Sequence, residues 1–140
     1  MTLVFGKPGI DAAAFQLHVI SRRPFPEVLN ALRQAIDEAG MKVLHEIDPQ
    51  GALRSVDQVI GGARLLFFFH PHLLAQLLEI DASALVEVPL KLVVLEMPGG
   101  AVSIRIADPT TAMERYGNSD LASFGRELSA ACDRIIRATT

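Results

Sequence analysis

The chain has 140 residues, half of them hydrophobic and 21% charged, with a formal net charge of −3. That length suits a single domain over residues 1–140 with one sizeable core, and the apolar content excludes intrinsic disorder. The mild acidity leaves no basic face for nucleic acid, no basic amphipathic helix marks a membrane surface, and no apolar run reaches the roughly 20 residues that span a bilayer.

The N-terminal stretch "MTLVFGKPGIDAAAF" lacks the basic start and continuous apolar core of a signal peptide, so a cytoplasmic location is expected. A single cysteine, Cys132, excludes an internal disulfide and any multi-cysteine zinc or iron–sulfur centre. From residue 14, "AFQLHVI" alternates Phe15, Leu17 and Val19 against Gln16 and His18, the pattern of a half-buried strand. Pro24 and Pro26 fit a helix start, Phe25, Val28, Leu29, Leu32, Ile36 and Ala39 recur at helical spacing, and Gly40 supplies the stop.

"MKVLHEID" alternates next, with Met41, Val43, His45 and Ile47 on one side and Lys42, Leu44 and Glu46 on the other. Asp48-Pro49-Gln50-Gly51 breaks that run, and residues 52–60 read as a short helix or an irregular connection. A strand over 63–70 runs into Pro71, which opens a short helix through Glu79. "LVEVPLKLVVLE", residues 85–96, is a strand whose Pro89 belongs at its beginning, an edge or a bulge. Met97-Pro98-Gly99-Gly100 is a type II turn and makes a hairpin with "AVSIRIAD". A helical turn over Asp108–Tyr116 precedes a C-terminal helix, capped by Asn118 or Ser119, with Leu121, Phe124, Leu128, Ala131, Cys132 and Ile135 as its apolar stripe.

The fold class is therefore α+β, an antiparallel sheet with two long helices on one face, in β-α-β-β-β-β-α order with short inserted helices. Parity along the strands divides the sheet. Phe15, Leu17 and Val19, Val43 and Ile47, Leu65, Phe67 and Phe69, Leu90, Leu92 and Val94, and Val102, Ile104 and Ile106 are assigned to the helices, and His45 with them. The second face receives Gln16, His18, Leu44, Glu46, Leu66, Phe68, His70, Lys91, Val93, Leu95, Ser103 and Arg105. This mixture is too apolar for open water and too charged for a core, and it suits a homodimer interface or a ligand pocket. One bulge inverts the parity downstream of it.

"GMKVLHEID", "FHPHLLAQLLEID" and "VPLKLVVLEMPGGAVSIRIADPTTAM" resemble the bacterial and archaeal family catalogued as domain of unknown function 302, over about residues 14 to 116. The resemblance implies a fold similar to that of the TATA-binding protein, with two helices on a curved antiparallel sheet, and pairing into dimers. It also implies a departure. The family commonly carries a cysteine and an asparagine where this chain has Phe69 and His70, and often a further cysteine where Leu90 stands, so if those cysteines carry thiol chemistry in relatives, this chain does not perform it.

"RLLFFFHPHLLAQLLEID" poses the sharpest local question. His70 and His72 bracket Pro71. On a continuing strand they would share a face and could hold a metal with a third ligand such as His18 or Glu46. If Pro71 ends the strand, His70 caps the helix and packs, or touches a ligand. The start of that helix, with Lys91 and Arg105 on the same sheet face, could attract a carboxylate or phosphate, unless those cations pair with Glu46 and Glu96 across strands. His18 with Glu46 is the one acid–base pair to nominate for an enzyme. Cys132 lies on an apolar stripe and reads as an inert thiol.

The function expected from these residues is a small-molecule-binding or accessory domain acting as a homodimer. Its ligand, anionic or mixed, would be met by His70, Phe68, Lys91, Arg105, His18 and Glu46. The sequence calls for no cofactor, and a metal or haem site at His70 and His72 is an alternative, as is a small enzyme built on His18 and Glu46.

Overall fold

A computed structural model describes residues 1–6 and 13–140, so the N-terminal stretch quoted above falls partly outside the described residues. In chain order the elements are β1 (Gln16–Ser21), α1 (Phe25–Glu38), β2 (Lys42–Ile47), α2 (Pro49–Arg54), β3 (Ala63–Phe69), α3 (Pro71–Ile80), a 3-10 turn (Ala82–Glu87), β4 (Leu90–Glu96), β5 (Val102–Ala107), α4 (Pro109–Glu114) and α5 (Ser119–Arg137). The strands form one antiparallel sheet in the order β1-β5-β4-β3-β2, which makes the first two strands of the chain its two edges.

Most boundaries follow from local chemistry. Pro24 stands at the N-cap of α1, whose buried positions Phe25, Val28, Leu29, Leu32, Ala35 and Ile36 trace one stripe. The Asn118 side chain accepts from the Asp120 and Leu121 amides and starts α5, so Asn118 rather than Ser119 is the cap. Asp48 caps α2 and Pro49 opens it, so the Asp-Pro pair read as a break is a helix start. In the β4–β5 turn the Gly100 amide bonds to the Met97 carbonyl at 2.9 Å, and Gly99 and Gly100 both take a φ of +98°, which glycine adopts freely. The strand expected from residue 85 begins instead at Leu90, because Ala82–Glu87 winds into the 3-10 turn and Pro89 stands before the ladder.

The helices cover one face. α5 packs on β1 and β5, α1 on β2 and on α5, and α3 and α4 both rest on α5. Beneath them Leu66, Phe68, Leu92, Val94, Val102 and Ile104 are fully buried. β1, β4 and β5 keep the expected parity, with Leu17 and Val19 opposite Ile106 and Ile104. β3 does not. Leu66 pairs with Leu92 and Phe68 with Leu90, so Leu66 and Phe68 belong to the helix face while Leu65 and Phe67 belong to the other. "LLFFF" is apolar at both parities, so its own alternation carries no phase; its pairing with β4 sets it.

β2 is corrected as well. Its register shifts between Val43 and His45, leaving Leu44 exposed and unpaired in the ladder. Below that bulge Glu46 turns to the helix face opposite Leu66, whereas His45 and Ile47 join the second face opposite Phe67 and Leu65. The His45 ring lies 6.3 Å, centre to centre, from that of Phe67. Phe15 precedes β1 and is exposed rather than covered by helices.

The two neighbouring phenylalanines of β3 separate the faces experimentally. Phe68→Ala is expected to cost about 3–5 kcal/mol of stability in urea unfolding, as a large side chain removed from a closed core does. Phe67→Ala is expected to cost less than half as much. Equal losses would contradict the register.

Candidate functional site

The six residues nominated for a site do not meet at one place. Four side chains of the second face do converge, across β1 and β5. His18 sits opposite Arg105 in the ladder, its Nε2 is 2.9 Å from the Ser103 Oγ and 3.3 Å from the Arg105 Nη2, and Arg105 also donates to the Gln16 Oε1 at 3.2 Å and to the Ser103 Oγ at 3.1 Å. A guanidinium only donates, so its contact with His18 uses Nε2 as acceptor. Ser103 is buried within this cluster, and Val93 lies opposite Arg105 on β4.

Phe68 and Glu46 are elsewhere. Phe68 is under the helices, out of reach of any ligand on the second face. Glu46 accepts a two-pronged contact from the Arg33 guanidinium on α1, at 2.7 and 2.9 Å, and that hydrogen bonding holds its carboxyl below the ordinary glutamate range. Because β1 and β2 are opposite edges of the sheet, and Glu46 faces the helices, His18 and Glu46 are not an acid–base pair.

His70 is the N-cap of α3. Its backbone is extended and its Nδ1 accepts from the His72 amide at 3.0 Å, while the two imidazoles stack with centres 5.0 Å apart. Among the described residues no group of three or more His, Cys, Asp or Glu side chains is placed to hold a metal ion. Cys132 is buried, and desolvation pushes its thiol up to about 12. Phe69 and Leu90, where the family resemblance places cysteines, are buried members of the core.

A cleft of about 370 Å³ opens where the ends of β1, β4 and β5 meet α4 and the segment after the 3-10 turn. Lys91, Arg105, Gln16 and Glu87 supply its polar wall; Phe15, Leu90, Val93, Ile106 and Met113 supply most of its apolar one. The size and the few polar groups in an apolar lining are those of small-molecule sites. Sequence reading named Lys91, Arg105 and Val93 but missed the part of the lining that comes from α4 and from Glu87. Glu87 accepts from the Tyr116 hydroxyl at 2.6 Å and from Arg115 at 3.1 Å, which ties the 3-10 turn to the end of α4. That hydrogen bond also raises the Tyr116 phenol above its ordinary value. His70 is not part of the cleft lining.

Gly125 sets how closely α4 approaches α5. A Cβ there would stand 2.7 Å from the Met113 Cβ and 2.9 Å from the Pro109 carbonyl oxygen, and both residues line the cleft. Gly→Ala within an exposed helix ordinarily gains about 0.5–1 kcal/mol. Here Gly125→Ala is expected to lose about 1–3 kcal/mol in thermal or urea unfolding, through overpacking. A gain in stability would show that α4 does not sit this close.

A one-sided antiparallel sheet in β-α-β-β-β-β-α order places the protein in the α+β class expected for it. The family model described as "Domain of unknown function DUF302" matches residues 17–139, and the chain belongs to that family. The match extends past the span of the sequence resemblance to take in α5. A crystal structure of an uncharacterized conserved DUF302 protein from Bacillus stearothermophilus shares the fold, with a TM-score of 0.83 at 18% identity, covering 91% of this chain and 100% of that one. No curated protein matches the chain. No helix among the described residues is long and apolar enough to cross a membrane.

Proposed function

We propose that the protein is a small-molecule-binding or accessory domain that works as a homodimer, with the cleft between β1, β5, β4 and α4 as its ligand site. The observation that carries the reading is that Lys91 and Arg105 both line a cleft whose remaining wall is largely apolar. Such a wall excludes water and strengthens the few polar contacts that orient a ligand. The Arg105 side chain is held by Ser103, Gln16 and His18, so the polar wall is already ordered before a ligand arrives.

Support for the dimer comes from the rest of the same face. Leu65, Phe67, Val93 and Leu95 are only half-buried although they lie on inner strands, and Ile47 is exposed beside them. A contiguous apolar patch flanked by His45 and Lys91 is the composition of a surface that a second subunit covers. His70 and His72 lie outside the cleft, and no third His, Cys, Asp or Glu joins them among the described residues.

Sedimentation velocity tests the dimer. The wild-type chain is expected to sediment as a dimer at micromolar concentration, and Phe67→Glu, which places a charge in the middle of the patch, is expected to sediment as a folded monomer. A wild-type monomer at every concentration would overturn the dimer reading.

A further inference from the structure

Lys91 is exposed in the cleft, and Phe15, Pro89, Val93 and Ala112 present the accessible apolar surface beside it, with Leu90, Ile106 and Met113 packed behind. Its one acidic member, Glu87, is engaged by Tyr116 and Arg115, so it does not call for a cationic ligand. An exposed cation beside an apolar wall fits a molecule with one negative end and an apolar body.

From this pairing of a cation with an apolar wall we propose that the cleft takes an amphipathic monocarboxylate, an aliphatic or aromatic acid. Its carboxylate meets Lys91, and its apolar body lies against Phe15, Pro89, Val93 and Ala112. The inference rests on the reading of the cleft as the ligand site. At about 30 Å³ per water, the 370 Å³ cleft holds the equivalent of about a dozen waters, the space of a chain of about eight to ten carbons with its head group. Lys91 is a flexible point charge on a four-carbon stem, and it follows a carboxylate without a fixed geometry. A phosphate dianion would ask for several converging donors, and Arg105 already donates to Ser103, Gln16 and His18.

Titration calorimetry on the full chain tests the class with hexanoate, octanoate and decanoate, and with 1-octanol and octylamine as the neutral and cationic counterparts of octanoate. Affinity is expected to rise about fourfold per methylene until the cleft is filled. Octanoate is expected to bind about tenfold more tightly than 1-octanol, and Lys91→Met, which keeps the stem and removes the charge, is expected to abolish that preference. Ala112→Leu, which fills part of the lining without changing charge, is expected to weaken every chain alike. Equal binding of octanoate and 1-octanol, or a preference untouched by Lys91→Met, would overturn the carboxylate class and leave the cleft a ligand site. Failure of every probe to bind would overturn both.

Discussion

The apolar stripe of α5 closes one face of the sheet, and the other features depend on that closure. Leu121, Phe124, Leu128, Cys132 and Ile135 belong to the same core as Val102, Ile104, Leu92 and Phe68. Fully burying a side chain of this kind is worth about 1.5–3 kcal/mol. α1 adds Val28, Leu32 and Ile36 to the same layer. The long helices α1 and α5 lie on this side, so among the described residues neither of them covers the second face.

That asymmetry gives the two faces different chemistry. The helix face is continuous hydrocarbon, and its one charged neighbour on β2, Glu46, reaches out to Arg33. The second face mixes a hydrogen-bonded cluster on β1 and β5 with apolar side chains on β3 and β4. At one end of the sheet the cleft joins both kinds of surface, because α4 is drawn against α5 at Gly125 and the Glu87 carboxylate is bound to Tyr116 and Arg115. The site is thus assembled by packing elsewhere, from residues spread between Phe15 and Met113.

Much of this was legible in the sequence where a pattern has a single phase. The stripes of α1 and α5 repeat at helical spacing, β4 and β5 alternate cleanly, and Pro71 marks the end of β3 and the cap at His70. Two places were not legible. In "LLFFF" both parities are apolar, so only the ladder with β4 decides that Phe68 rather than Phe67 is core. In β2 an extra residue at Leu44 inverts the strand, which moved Glu46 off the ligand face and His45 onto it. The cleft was half legible: Lys91, Arg105 and Val93 follow from strand parity. Glu87, Pro109 and Met113 enter through tertiary packing, for which no local periodicity exists.

If two chains pair as proposed, the second face is open in the monomer and covered on association. The most direct measurement is the thiol-labelling rate of Val93→Cys, in the middle of that face, as a function of protein concentration. Cys132 gives no background, being buried with its thiol pushed up to about 12. The account predicts ready labelling in dilute protein and a rate that falls as the dimer forms. A rate independent of concentration in protein shown to be dimeric would contradict it, and so would a thiol protected even in the dilute monomer.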